Sequence, residues 1–296
     1  MTLKPRLLLV HAHPDDETIG TGATMAKYVA EGAQVTLVTC TLGDEGEILL
    51  PHLAHLAADQ TDELASHRQL ELHEAMNALG VSDHRILGGA GAYRDSGMMG
   101  TPPNQRPDTF WQADLLEASR HLVAIIREIK PHVVVTYDEF GGYGHPDHIQ
   151  AHRVTTYSVA LAASPTFEPD LGNAWQIAKL YWTAFPKSVL QAGIDLLNAS
   201  GGATGFDTQN VDDMNFACPD EFITTVVDGE QFAEQKMQAL RAHATQISTE
   251  EGFFALSNNL GSQILGKEYY RLAYGNLGLR NNDGFEDDLF SGVELT

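Results

Sequence analysis

Two short stretches of the chain concentrate residues that hold metals and move protons. The first is His11-Ala12-His13-Pro14-Asp15-Asp16-Glu17, with two histidines and three acids in seven positions. Zinc accepts imidazole nitrogen and carboxylate oxygen as donors at about 2.0–2.2 Å. His13 and Asp16 are three residues apart, and a turn of the backbone lets both reach one ion. Asp15 then aims elsewhere and is free to take a proton. Acids at a helix start are also ordinary, because they favour the positive end of the helix dipole. That simpler reading leaves the neighbouring histidines unexplained.

The second stretch runs from Tyr137 through Gly141-Gly142-Tyr143-Gly144 to His145-Pro146-Asp147-His148. Its glycines let backbone approach a ligand closely. His145 and His148 flank Asp147, so one imidazole can ligate a metal while the other faces a substrate. His152 follows His148 by four, the spacing of paired helical zinc ligands. Three protein ligands already suffice, and His152 reads better as a helix-surface or supporting residue. Taken alone, this stretch is equally a histidine-containing loop with a helix cap at Asp147.

The elements around them decide whether the two stretches meet. Arg6–His11 reads as a buried strand, Thr18–Glu31 as a helix, and Gln34–Cys40 as a second, β-branched strand. Thr61–Leu79 is a helix stopped by Gly80, Arg85–Leu87 a short strand, and Gly88–Asp108 a long loop of the kind that often carries function. Phe110–Lys130 is a helix, His132–Tyr137 a buried strand, and Asp147 to about Ala163 a helix. Strands alternating with helices predict a Rossmann-like, mostly parallel sheet covered on both faces. In the commonest order of such sheets, 3-2-1-4, the first and fourth strands are neighbours. Both stretches would then meet at the topological switch point and build a catalytic zinc site with an open position.

Beyond about residue 165 the alternation weakens. Ala178–Thr183, Phe222–Val227 and Glu268–Ala273 read as strands and Glu230–Ala244 as a helix. The expected organisation is a catalytic portion over 1–168 and a smaller α+β portion over 169–296 that completes the pocket. Gly20-Thr21-Gly22 superficially resembles a phosphate-binding loop, but the strand-to-helix turn carries His-Pro-Asp-Asp, which repels a pyrophosphate.

Forty acids against eighteen bases give the 296-residue chain a net charge of −22. Nucleic-acid affinity comes mainly from Lys and Arg displacing counterions, and anionic membranes attract the same residues. Neither partner is expected. Two cysteines, Cys40 and Cys218, exclude a disulfide scaffold. No apolar run approaches the roughly 18 residues that span a bilayer. The N-terminus lacks a signal-peptide pattern, so a cytoplasmic location is expected. The sequence does not specify an oligomeric state.

His13-Pro14-Asp15-Asp16-Glu17 and His145-Pro146-Asp147-His148 resemble the two signatures of the zinc-dependent sugar N-deacetylases of the GlcNAc-phosphatidylinositol deacetylase (LmbE-like) family. The wider segments Val10–Glu17 and Gly141–His148 are similar to its mycothiol-biosynthesis branch. So are Thr39–Gly43, Gly88–Gly91, Arg94–Met98 and Leu256–Leu260. The resemblance covers nearly the whole chain. It implies hydrolysis of the N-acetyl group of 1-O-(2-acetamido-2-deoxy-α-D-glucopyranosyl)-1D-myo-inositol, a neutral small molecule. The alternatives are a mycothiol S-conjugate amidase and a non-catalytic sugar- or metal-binding module. It implies His13, Asp16 and His148 as ligands of Zn2+, with Fe2+ as a second candidate. Asp15 is then the general base, His145 an imidazolium acid or electrostatic stabiliser, and Tyr143 an oxyanion contact. Asp147 is expected to orient His145 and raise its pKa. Glu47, Arg68, Asp95 and Met98 match sugar-pocket positions. Without the resemblance, Arg68 would be a solvated helix residue, Asp95 a turn residue, Glu47 part of an acidic loop and Met98 core filling.

Overall fold

Residues 3–200, 210–249 and 266–296 are described by the computed structural model. The segment Leu256–Leu260 lies outside them. In chain order the strands are β1 (Arg6–His11), β2 (Gln34–Thr39), β3 (Asp83–Ile86), β4 (Val133–Thr136), β5 (Lys179–Pro186), β6 (Ala217–Cys218), β7 (Thr225–Asp228) and β8 (Lys267–Tyr274). The helices are α1 (Asp16–Ala30), α2 (Leu64–Leu79), α3 (Leu115–Ile129), α4 (Gly141–Gly144, a single turn), α5 (Pro146–Ala163), α6 (Lys187–Ser200) and α7 (Ala233–Ala242).

The sheet order is β3-β2-β1-β4-β5-β8-β7, with β6 beside β5. β1 to β6 pair in parallel, and β8 runs antiparallel to both β5 and β7. The expected 3-2-1-4 order is therefore present. The sheet also continues across residue 168, because β4 and β5 pair directly through Val133↔Lys179 to Thr136↔Trp182.

Alternation along the strands explains the two covered faces. Leu7, Leu9, Leu37, Val133 and Val135 pack with Met25 and Tyr28 of α1, Leu72 and Met76 of α2, and Ala239 of α7. Leu8, Val10, Val38 and Val134 turn the other way onto Leu122 and Ile126 of α3 and Val154 of α5. A strand buried on both faces reads as a continuous apolar run, as Leu7-Leu8-Leu9-Val10 does. Gly80 ends α2 in the left-handed region at φ 75°, as its position predicts.

Several boundaries differ from the sequence reading. α3 starts at Leu115, because Asp114 caps it by accepting from the Glu117 amide at 2.9 Å. Residues Phe110–Gln112 before it form a separate 3-10 turn. Sequence reading missed α6 and β6. Leu190 and Ile194 of α6, an i,i+4 pair, pack on Val211 and Met214. Gly193 inside this helix weakens its propensity by about 1 kcal/mol and masks the pattern. β6 has only two residues, too few to show a period. Among the described residues no helix is long and apolar enough to cross a membrane.

Candidate metal centre

β1 and β4 are neighbours, and both run out at their carboxyl ends into the two histidine-rich stretches. After β1 the chain turns sharply into α1. Asp15 occupies the turn with φ 109° and ψ −39°, a conformation L-residues avoid. Holding a non-glycine residue there costs on the order of 1–3 kcal/mol, and such strain persists only where surrounding contacts enforce it. After β4, Gly141 and Gly142 take positive φ. His145 then caps α5: its Nδ1 accepts from the Asp147 amide at 3.1 Å, and Pro146 follows at the first helical position.

These two turns bring His13, Asp16 and His148 together. Asp16 Oδ2 lies 3.3 Å from His13 Nδ1 and 3.3 Å from His148 Nε2. The His148 Nε2 atom is buried and, among the described residues, has no hydrogen-bond partner, because its approach to Asp16 lacks hydrogen-bond geometry. Two nitrogens and a carboxylate oxygen converging this closely, one of them without a hydrogen-bond partner, suit a divalent cation of the zinc type. The donor set therefore fits the expected metal. His13, His145 and His148 also lie close enough to form a cluster of three imidazoles.

The surroundings fix each ring. Tyr137 stacks on His148 with centroids 4.3 Å apart, and its hydroxyl accepts from the Ala12 amide at 2.9 Å. His13 Nε2 lies 3.1 Å from Asp147 Oδ2. Burial works against a charged His13, but Asp95 and the Asp147 hydrogen bond outweigh it and raise the pKa well above the usual histidine value. The contact with Asp147 takes the proton on Nε2, and Nδ1 is the nitrogen that faces Asp16. This is the carboxylate–histidine arrangement that orients metal ligands.

Here the structure corrects an expectation. The Asp147 carboxylate is directed at His13 and at Ser96, whose amide donates to it at 2.9 Å and whose hydroxyl donates to its other oxygen. Its link to His145 is through the backbone amide only. Nor is His145 set up as an imidazolium. Burial, then the neighbouring His13 and His148, push its pKa down to about 3. With Nδ1 accepting from an amide, the neutral ring carries its proton on Nε2, 3.9 Å from Asp95 Oδ1. Asp15 moves the other way. Burial lifts its pKa to about 6, against the pull of Arg68.

Arg68 is buried rather than solvated. It donates to Gly43 O at 2.9 Å, to Pro14 O, and to Asp15 Oδ2 at 3.3 Å. It clamps the strained turn from one side. Asp95 is buried beside the histidines, with Oδ1 3.6 Å from His13 Nε2 and held by the Gly97 amide at 2.8 Å. Glu47 and Met98 are exposed on the loops after β2 and β3. Tyr143 is half-exposed, its ring edge-on to His148 at 4.9 Å. His152 stands apart from the cluster, with Nδ1 on Tyr137 O at 3.1 Å. Sequence reading missed Ser96 and Tyr137 as site residues. The signals were there, since Ser96 lies in the flagged 88–108 loop and Tyr137 directly follows β4.

A cavity of about 360 Å³ opens beside Asp16, Tyr143 and His148. Its far wall is Thr183, Phe185, Leu190, Phe216 and Phe222, all from beyond residue 168. Both cysteines are free thiols, Cys40 buried in the core and Cys218 on this cavity.

Among solved structures the chain is similar to N,N′-diacetylchitobiose deacetylase from Pyrococcus horikoshii, at 22% identity and a TM-score of 0.61, covering 90% of this chain and 83% of that one. It is also similar to 4-carboxy-2-hydroxymuconate hydratase from Pseudomonas putida, at 16% identity and a TM-score of 0.59, covering 94% and 99%. Likeness at this level shows the fold, and one fold carries more than one chemistry. In sequence, the chain is 61% identical over 294 residues to 1D-myo-inositol 2-acetamido-2-deoxy-α-D-glucopyranoside deacetylase from Geodermatophilus obscurus, covering 99% of each. The GlcNAc-PI de-N-acetylase pattern matches residues 8–159, from β1 through both histidine-rich turns and most of α5. With its two signatures on neighbouring strand ends, the chain belongs to the GlcNAc-PI de-N-acetylase (PIG-L) family.

Proposed function

We propose that this chain is a metal-dependent N-deacetylase that hydrolyses the N-acetyl group of 1D-myo-inositol 2-acetamido-2-deoxy-α-D-glucopyranoside, the step for which its 61%-identical relative is named and which belongs to mycothiol biosynthesis. The observation that carries this reading is the convergence of His13, Asp16 and His148, with His148 Nε2 unpartnered, beside the partly buried carboxyl of Asp15. His13 Nδ1, Asp16 Oδ2 and His148 Nε2 would hold the ion, Zn2+ in our reading and Fe2+ as the second candidate. Such an ion supplies Lewis acidity, polarising a carbonyl and lowering the pKa of water from 15.7 to about 7.

The chain's own groups do the rest. Asp15, held by Arg68, accepts the proton of the attacking water on its carboxylate. The same carboxyl then returns that proton to the departing amine nitrogen. A pKa lifted towards neutrality suits a group that must work in both directions. His145 donates its Nε2–H to the developing oxyanion as a neutral imidazole, and Tyr143 adds its hydroxyl at the cavity mouth. Glu47, Asp95 and Met98 are assigned to the sugar and inositol, while Arg68 acts through Asp15. Residues 1–168 supply the chemistry, and 169–296 supply the far wall of the cavity.

The test is release of the free glucosaminyl amine by the metal-loaded protein from this substrate and from a mycothiol S-conjugate, with Asp15→Asn alongside. Turnover of the acetamido sugar that Asp15→Asn cuts to a small residual rate while metal stays bound is the expected result. A strong preference for the conjugate would instead make the chain an amidase.

A further inference from the structure

The backbone of Asp15 needs support on the side away from Arg68, and a buried pair of side chains supplies it. Glu17 Oε2 accepts the Asp15 amide at 2.9 Å. Glu17 Oε1 accepts the Thr18 hydroxyl at 2.6 Å and lies 2.8 Å from His243 Nε2. The Glu17 and His243 side chains are both 0% exposed, and 226 residues separate them in the chain. His243 Nδ1 has no partner among the described residues, so Nε2 is the nitrogen that carries the ring's proton. His243 directly follows α7, outside the stretch that matches the family.

We propose that Glu17 and His243 form a buried pair that positions Asp15, with His243 a positioning residue supplied by the C-terminal third. This rests on the assignment of Asp15 as the proton-transferring group. The chain of contacts is continuous: His243 donates to Glu17, Glu17 receives the Asp15 amide, and the Asp15 carboxyl meets Arg68. Removing the imidazole leaves Glu17 buried without the donor that follows α7. The carboxylate then reorients, and the grip on the Asp15 amide loosens. The ion need not be lost, because Asp16 and His13 keep their own contact through the His13 amide at 2.9 Å.

The experiment compares His243→Leu, His243→Asn and His243→Gln in the metal-loaded enzyme, reading kcat, KM, metal content and melting temperature. Gln places an amide nitrogen near the reach of Nε2, whereas Asn is one carbon short. His243→Leu and His243→Asn are expected to lower kcat by about 10–100-fold, the scale of a misplaced catalytic group. KM and metal content should stay within about twofold, and His243→Gln should recover most of the rate. In an Asp15→Asn background, His243→Asn should lower the residual rate by less than about twofold, since residues that act as a unit are not additive. The Asn variant keeps the test alive should Leu at this buried site prevent folding. Wild-type kcat in His243→Asn, or an equal loss in both backgrounds, would overturn the proposal. Full turnover by Asp15→Asn alone would instead remove the reading beneath it.

Discussion

The Nε2 of His13 lies 3.1 Å from the carboxylate of Asp147, although 134 residues separate them in the chain. The contact joins the two histidine-rich turns and fixes which imidazole nitrogen faces Asp16. Replacing Asp147 with Asn keeps the volume and removes the charge that holds the proton on Nε2. Such supporting partners are typically worth 10–100-fold in metal affinity. Asp147→Asn should weaken metal binding by about that factor in a competition titration with a chromogenic chelator. Unchanged affinity would mean that the His13 ring is oriented by packing alone.

His145 is predicted to act as a neutral donor. Its Nδ1 is committed to the Asp147 amide, so only Nε2–H remains for the substrate. His145→Ala should lower kcat by about 10²–10³, the usual cost of one oxyanion donor. His145→Gln, which keeps a donor near Nε2, should retain more activity than His145→Ala. Steady-state kinetics at saturating substrate checks the order, and equal loss in both variants would argue against a neutral donor.

Gly141 and Gly142 share a φ of +67° but not their surroundings. A Cβ on Gly141 would sit 2.6 Å from the Ile149 amide nitrogen and 2.7 Å from His148 Cβ, whereas one on Gly142 would meet nothing within 4 Å. Gly142→Ala should cost roughly 1–3 kcal/mol of backbone strain and keep its metal. Gly141→Ala must displace the first turn of α5, and His148 with it. Elemental analysis of the two purified variants should find the metal depleted in Gly141→Ala only.

A buried ion pair remote from the site ties part of the stability to pH. Lys179 Nζ donates to Glu286 Oε1 at 2.7 Å, and the Tyr181 hydroxyl to Oε2 at 2.6 Å. Burial favours the neutral Glu286, but the hydrogen bonds from Lys179 and Tyr181 win and hold its pKa below the ordinary value. A carboxyl with a lowered folded-state pKa adds stability above its unfolded value of about 4.3, and loses it as pH falls through the folded value. Glu286→Gln leaves Lys179 unpaired and should cost about 3–5 kcal/mol at pH 7. The gap between the urea midpoints of the two proteins should narrow below about pH 4. A gap independent of pH would show that Glu286 contributes by packing and not by charge.

The part of this molecule that a sequence shows most clearly is what is local. Leu7 to Val10 announces a strand buried on both faces, Gly80 announces a helix end, and the His-Pro-Asp motifs announce donors held at tight turns. The strand order then follows from the habit of parallel sheets, which is why β1 and β4 could be paired in advance. Long-range pairings were not legible. Nothing in the spacing says that Asp147 turns to His13 and Ser96, or that Arg68 folds inward onto Pro14 and Asp15. α6 was hidden because Gly193 interrupts its apolar face, and His243 because a lone histidine at a helix end has no local signature.

The backbone of Asp15 has one more consequence, for how this protein can change. A glycine would occupy φ 109° without strain, and it would relieve the crowding of Asp15, Asp16 and Glu17 as like charges. The residue most comfortable for the fold is thus one that cannot transfer a proton. Stabilising substitutions range from neutral to costly for function, and the cost falls where activity depends on a strained site. A library screened for heat resistance alone should drift towards glycine at position 15, and in doing so silence the enzyme.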